Sequence, residues 1–160
     1  MKLIPLKYLK HLFKYSISIA LTVISSSIYA QTKPTAFTKP EQAIEYRKSV
    51  FIVQARAFSQ IRAMVKGDVP FNAVDIKTNA NIIHTLSALP WTAFSVGTDS
   101  SKTQPDIWTD ATGFKDAAAK YMLATAALDL AAKTGDVGQI KTAVGTLGAT
   151  CKQCHDTYKK

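Results

Sequence analysis

Residues 148–159 read GATCKQCHDTYK, and this stretch contains both cysteines of the chain. Cys151, Cys154 and His155 stand at positions i, i+3 and i+4, so a helix through them places all three side chains on one face. The order C-x-x-C-H is the attachment signature of a c-type haem. Each thiol can bond to a haem vinyl group, and the imidazole can then reach the iron. The stretch predicts one covalently attached haem c, with His155 as the metal ligand.

Three other uses of the cysteine pair fit these residues less well. A disulfide between positions i and i+3 of a regular helix has poor geometry. A thioredoxin-type pair stands at the start of a helix that follows a strand, whereas this pair lies near the end of the sequence. A zinc site needs two further ligands, and after residue 30 the sequence adds only His84, at no zinc-like spacing.

Upstream of the motif, the first of four helical segments opens near Thr38, a candidate N-cap with Glu41 three residues on. Pro40 suits the first turn, and Gly67 ends the segment. A seven-residue rhythm predicts that this helix turns one face towards a bundle core. The positions in this rhythm are Ile44, Arg47, Phe51, Gln54, Phe58, Ile61 and Val65.

Three further segments show the spacing of amphipathic helices. The second begins near Asn72 and stops at Pro90, the third runs from about Thr109 to Lys133, and the fourth follows Asp136 as its N-cap. No stretch shows sustained alternation of period two, so we expect no sheet. The connections after the first and third segments are short, which predicts an all-α, antiparallel four-helix bundle.

One long loop interrupts this pattern, at residues 91–108 (WTAFSVGTDSSKTQPDIW). Its middle is polar and rich in turn-forming residues, whereas Trp91 and Trp108 stand at its ends and Phe94 lies close to the first. Aromatic residues at the ends of a loop favour packing onto the core over free movement. We therefore predict that this loop is held against the bundle.

Residues 1–30 have the composition of a targeting segment. Four lysines and no acids stand in residues 1–14, and the apolar stretch Ile17–Ile28 and then Ala30 follow. A basic start, a short apolar stretch and a small residue before the cut are typical of a secretory signal peptide. A transmembrane anchor needs about 20 apolar residues, more than this stretch supplies. We predict cleavage after Ala30, a haem domain at residues 31–160 and a periplasmic protein without a membrane segment in its mature form.

The composition limits the class of protein further. The chain has 160 residues, 47% of them hydrophobic, which suits one domain and excludes a disordered, collagenous or disulfide-rich chain. Its formal charge of +9 falls to +5 without residues 1–30. The remaining lysines are interspersed with acids, and no basic run with aromatic residues appears, so nucleic acid is not an expected partner.

The position of the haem motif near the C-terminus of a four-helix chain resembles the class II c-type cytochromes, and specifically the cytochrome c′ family. The resemblance covers nearly all of residues 31–160. Five stretches carry it, namely Lys39–Ser49, Met64–Phe71, Leu86–Phe94, Pro105–Trp108 and Gly148–Lys159. It implies a four-helix bundle around one haem and a homodimer formed through the first two helices.

The second axial position of the iron decides the function, because electron carriers usually fill it with Met or His. The resemblance places Phe51 over this position. Met64 lies thirteen residues further along the helix, about 20 Å away at 1.5 Å per residue. The sequence argues less strongly against Met122 as this ligand. His84 stands among polar residues, which favours a solvated position over one on the iron. We therefore expect five-coordinate, high-spin iron.

The resemblance also implies roles around the haem for other residues. Arg47 matches an arginine near the propionates, and its place in an apolar seam independently favours an anionic partner. Lys48 is a second candidate for the propionates. Gln54 follows Phe51 by one turn and can donate a hydrogen bond to a bound ligand. The remaining candidates belong to the long loop: Trp91 and Phe94 at the pocket wall, and Gln104 and Asp106 near the propionate edge.

These expectations favour a non-enzymatic haem protein that binds nitric oxide and carbon monoxide and buffers or detoxifies nitric oxide. The alternative is a periplasmic electron-transfer cytochrome with an unknown redox partner. A peroxidase would need a distal acid–base residue, and the first helix offers only Gln54, which does not titrate.

Overall fold

The computed structural model describes residues 37–160, in which four long helices alternate with short connections and one long loop. We label the helices α1 (Pro40–Lys66), α2 (Ala73–Leu86), α3 (Ala111–Thr134) and α4 (Val137–Tyr158). None of the described helices is both long and apolar enough to cross a membrane. The predicted signal peptide lies outside the described residues.

The helices pack as the sequence predicts, so the four-helix bundle is confirmed. α1 packs on α2, α2 on α3 and α3 on α4, while α1 meets α4 over fewer residues. Each helix contributes apolar side chains to one shared core. The largest fully buried hydrophobic side chains of this core are Ile61, Ile76, Ile83, Leu128, Ile140 and Leu147.

Glycines and polar caps end and start the helices close to the predicted positions. Gly67, at φ 83°, ends α1 in the left-handed region that glycine adopts without strain, and Asp68 donates its N–H back to the Ala63 carbonyl at 2.9 Å. Gly135 ends α3 in the same way, at φ 72°. Asp136 then caps α4 by accepting a hydrogen bond from the N–H of Gln139 at 2.7 Å.

Two predicted helix starts are wrong by one or two residues. Thr38 is not the N-cap of α1, because Lys39 takes that position. The Gln42 side chain, not that of Glu41, accepts hydrogen bonds from the Thr38 and Lys39 backbone N–H groups at 3.2 and 3.3 Å. α3 begins at Ala111, since the Asp110 carboxylate accepts from the N–H of Gly113 at 3.0 Å and caps the helix there.

The long loop is held against the bundle at both ends, as predicted. A turn of 3-10 helix at Pro90–Ala93 follows α2, and a single α-helical turn at Asp106–Thr109 precedes α3. The indole N–H of Trp91 donates to the Ser87 carbonyl at 2.7 Å, and that of Trp108 donates to the Phe94 carbonyl at 3.0 Å. The Trp91 bond joins the loop to the end of α2, the Trp108 bond joins its two ends to each other, and its two helical turns pack on α1 and α3.

One acidic side chain of α3 is buried. Asp129 is 3% exposed, and its Oδ2 accepts a hydrogen bond from Lys133 one turn later. Its Oδ1 is buried without a hydrogen-bond partner in residues 37–160. Lys133 is therefore the cation that compensates a desolvated carboxylate, an ion whose isolation in a protein interior is costly.

We expect Lys133→Met to lower the free energy of unfolding by about 1–2 kcal/mol, a range that allows for solvent screening of a lysine side chain 49% exposed. Lys152→Met is the matched control. Lys152 forms an equivalent ion pair with Asp156. Both side chains of this pair are exposed, so the free energy of unfolding should change by no more than about 0.5 kcal/mol. Urea unfolding of the two variants checks this, and equal losses would contradict the role of burial.

Candidate functional site

The last two turns of α4 bring together the three residues of the predicted haem motif. Cys151 and Cys154 are half-buried and His155 is exposed. The helix is continuous through Tyr158, so their i, i+3, i+4 spacing places the three side chains on one face. Both cysteines are free thiols. The structure thus places two thiols and an accessible imidazole side by side.

The surroundings of these groups keep them uncharged near neutral pH. Burial raises the pKa of the Cys151 thiol. Burial and the neighbouring Cys151 raise the pKa of Cys154. Burial, followed by the positive charge of Lys159, lowers the pKa of His155, and Asp156 opposes this shift. A neutral imidazole is the form that coordinates metals, so His155 is present in a form ready to bind.

A cluster of six aromatic rings lies beside this face of α4. We call it the aromatic cluster, and its members are Phe51, Trp91, Phe94, Phe114, Tyr121 and Tyr158. Trp91 stands at its centre, with ring centroids 5.8 Å from Phe51 and 5.9 Å from Tyr121. Most of the contacts are edge-to-face, the geometry that aromatic pairs favour.

Two tyrosines connect the aromatic cluster to the cysteines. Tyr121 is 7% exposed, and burial and the nearby Cys151 raise the pKa of its hydroxyl. Tyr158 lies one turn after Cys154 on α4, and its ring centroid is 5.2 Å from that of Phe114. The cysteines therefore border the aromatic wall through the rings of Tyr121 and Tyr158.

The C-terminal end of α4 is tied to α3 and to the long loop. The Tyr158 hydroxyl donates to Oδ2 of Asp110 at 3.1 Å, and the backbone N–H of Gln104 donates to the Tyr158 carbonyl at 3.0 Å. Gly113 allows this contact, because a Cβ atom there would lie 2.1 Å from Oδ2 of Asp110. These ties hold the haem motif against the aromatic cluster.

Arg47 is buried, 3% exposed, and the long loop supplies its hydrogen-bond partners among the described residues, while its proximity to haem propionates stays a prediction. Its Nη1 donates to the Ala93 carbonyl at 2.7 Å and to the Thr98 hydroxyl at 3.0 Å, and its Nη2 donates to the Thr98 carbonyl at 2.6 Å. The guanidinium carbon lies 4.3 Å above the Phe94 ring centroid. Burial lowers the pKa of the guanidinium, and the negative charge of Asp99 opposes this shift.

Three weaker candidates do not join the aromatic cluster. Lys48 and Asp106 are exposed and Gln104 is partly buried. In the described part of the chain, none of their side chains makes a hydrogen bond or an ion pair, although the Gln104 backbone binds Tyr158. Their proximity to haem propionates stays a prediction.

Gln54 is buried within the bundle, 3% exposed, one turn after Phe51 on α1. Its Nε2 donates to the Ile83 carbonyl of α2 at 3.3 Å. Its Oε1 is also buried but accepts no hydrogen bond from residues 37–160. The sequence predicts a donor to a bound ligand at this position, whereas the structure directs the amide nitrogen at the backbone of α2.

Four contributors to the site were not singled out from the sequence. Phe114, Tyr121 and Tyr158 appear in the helical periodicity, which marks them as inward-facing without showing that they meet in one cluster. Thr98 gives no signal, because its role depends on Arg47, 51 residues earlier.

Comparisons with known proteins agree on one family. A family model described as "Cytochrome C'" matches residues 42–159. The cytochrome c′ of Rubrivivax gelatinosus is 48% identical over 127 residues, which cover 78% of this chain and 98% of that protein. That of Alcaligenes xylosoxydans is 42% identical over 124 residues, with the same coverage.

Solved structures give the same result. The Rubrivivax gelatinosus cytochrome c′ superposes with a TM-score of 0.75 and covers 78% of this chain and 99% of that one. A variant of the Alcaligenes xylosoxidans protein in complex with nitric oxide gives a TM-score of 0.74 at 42% identity and covers 78% and 98% of the two chains. A carbon monoxide-bound variant of the same protein has the same values.

Proposed function

The chain belongs to the cytochrome c′ family, and from this premise we propose that it binds nitric oxide and carbon monoxide at one covalently attached haem c. We further propose that it acts in the periplasm as a binding protein, not an enzyme, and that it buffers or removes nitric oxide. The resemblance to family members also favours a homodimer.

The residues of the site fit a c-type haem. Cys151 and Cys154 are free, half-buried and protonated, and His155 is accessible and neutral. Each thiol would add its sulfur to one carbon of a vinyl group and its hydrogen to the other, so the attachment needs no oxidant. His155 would be the axial ligand. When bound, the haem would supply an iron atom that can take up a diatomic ligand.

The observation that carries the proposal is the aromatic composition of the wall beside the motif. Phe51 packs against Trp91 and Phe94, with centroids 5.8 and 6.5 Å away. Phe51 and Phe94 carry no polar side-chain atom, and Trp91 already donates its indole N–H to the Ser87 carbonyl, so none of these three rings offers a free donor. Dioxygen depends on a hydrogen-bond donor for stable binding, whereas nitric oxide and carbon monoxide depend on one much less. This wall therefore favours the latter two ligands.

The positions of the methionines support an iron without a second protein ligand. Met64 is buried in the hydrophobic core of the bundle, thirteen residues from Phe51 along α1. Met122 packs against the same core. His84 is exposed on the last turn of α2. The distance of Met64 along α1 and the exposure of His84 therefore make both poorly placed to replace a gas ligand.

A visible absorption spectrum of the reduced, haem-loaded protein tests this function. We expect a high-spin, five-coordinate spectrum that changes when nitric oxide or carbon monoxide is added. A low-spin, six-coordinate spectrum that neither gas alters would contradict the proposal and favour the electron-transfer alternative. Peroxide turnover well above that of free haem would contradict the non-enzymatic role.

A further inference from the structure

The Gln54 carboxamide is an exception in the apolar face that α1 turns inward near Phe51. It is 3% exposed and lies one turn from Phe51, so both side chains leave the same face of the helix. A buried amide is costly unless its donor and acceptor both find partners. Gln54 meets only half of this requirement, and a half-satisfied buried group in a native protein calls for an explanation.

The orientation of the amide is set by the end of α2. In a continuing helix the N–H of Ser87 would donate to the Ile83 carbonyl, but here it donates to His84 at 3.1 Å. The Ile83 carbonyl instead accepts from Nε2 of Gln54 at 3.3 Å. The opposite orientation of the amide would place two carbonyl oxygens against each other, so the nitrogen points to Ile83 and Oε1 points away from it.

Oε1 is consequently a fixed acceptor without a donor in the described residues. Carbon monoxide and nitric oxide carry no hydrogen and cannot supply one. A carbonyl oxygen in a medium of low dielectric instead exerts a negative potential on its surroundings. Such a potential opposes any ligand that accumulates negative charge when it binds iron, and dioxygen accumulates the most.

We propose that Gln54 is a specificity-determining residue whose Oε1 presents this negative potential to the ligand side of the pocket next to Phe51. This inference rests on the proposed gas-binding function. It assigns Gln54 a role opposite to that of a hydrogen-bond donor, because an acceptor discourages dioxygen. The same potential weakens carbon monoxide binding to a smaller extent, which makes carbon monoxide a usable probe.

The test compares haem-loaded wild type with Gln54→Met, a variant of similar side-chain length without the carbonyl. We expect carbon monoxide to bind Gln54→Met roughly threefold to tenfold more tightly, the range for loss of one modest unfavourable contact. We also expect the infrared C–O stretching frequency to fall, since a negative charge near the ligand oxygen raises it. Gln54→Leu should give the same changes in affinity and frequency, and it is the second test variant if Gln54→Met folds poorly.

Gln60→Met is the matched control, because Gln60 is an exposed glutamine on the same helix. The carbon monoxide affinity and the C–O stretching frequency of Gln60→Met should equal those of wild type. An unchanged frequency in Gln54→Met and Gln54→Leu would overturn the inference, and so would a crystal structure of the haem-loaded protein with a water donating to Oε1. If wild type itself binds no carbon monoxide, the gas-binding function fails first and the inference falls with it.

Discussion

Replacement of both Cys151 and Cys154 by alanine is expected to abolish covalent haem attachment completely. These are the only cysteines in the chain, and the structure leaves both as free thiols on one face of α4. Without a sulfur atom at either position, no thioether bond can form. Haem staining after denaturing electrophoresis measures the loss directly, because only covalently bound haem survives denaturation.

The two single variants are expected to differ from the double variant. Each retains one thiol and therefore one possible bond to haem, so staining should fall but persist. Cys151 packs against the hydrophobic core, whereas Cys154 lies nearer the end of the helix. Loss of Cys151 should therefore also lower the stability of the bundle more than loss of Cys154 does, by removing a core contact.

The control for the double variant is Lys152→Ala with Gln153→Ala. Both residues stand between the cysteines and are exposed. The control and the double cysteine variant therefore each replace two residues of the same helical turn. Their replacement should leave staining unchanged. Haem that remains bound after denaturation in the double cysteine variant would contradict the assigned attachment, and loss of staining in the control would show that the turn itself had been disrupted.

Most of the fold follows from short-range signals in the sequence. Gly67, Gly135 and Asp136 act on backbone within a few residues of themselves, so a sequence can reveal them. The cysteine motif is likewise local, since one helix turn determines which side chains share a face. The start of α3 was less visible, because Thr109 and Asp110 both suit a cap, and the structure shows that Asp110 takes this position.

The walls of the site depend on long-range packing and could be predicted only in part. The family resemblance implies Phe51 over the iron and Trp91 and Phe94 at the pocket wall, but Phe114, Tyr121 and Tyr158 have the same periodicity as any core residue. Gln54 shows the limit most clearly. The sequence reveals a polar residue on an apolar face, and only the end of α2 decides which way its amide points.

Arg47 shows how a buried cation can have partners that sequence patterns do not reveal. A buried guanidinium needs compensation, and in a chain with a predicted haem the propionates are an obvious source. The structure shows two backbone carbonyls and a hydroxyl from the long loop as its hydrogen-bond partners, and its proximity to the propionates stays a prediction. Such a partner is invisible to sequence patterns, because every residue of every loop has a carbonyl group.

Arg47→Leu is expected to lower the free energy of unfolding by about 2–4 kcal/mol, because it removes three charge-assisted hydrogen bonds and leaves the buried Thr98 carbonyl without its donor. It also removes the cation from the face of Phe94. Arg62→Leu is the matched control on the same helix. Arg62 is exposed and its guanidinium carbon lies 5.9 Å from the Phe58 ring centroid, so its loss should cost less than about 0.5 kcal/mol.

Hydrogen exchange separates a loop-holding role of Arg47 from a contact with haem propionates. If Arg47 chiefly fixes the loop, amides of residues 93–99 in the haem-loaded Arg47→Leu variant should exchange much faster, while those of α3 and α4 change little. A contact with propionates alone would alter the haem spectrum or potential and leave loop exchange at the wild-type rate. Arg47→Lys sharpens the comparison, since it keeps the charge but loses the planar fork that reaches Ala93 and Thr98 together. Exchange at the wild-type rate in the loop of both variants would contradict the role assigned to Arg47. Fast exchange in both variants would show that the position of the loop depends on the geometry of the guanidinium as well as on its charge.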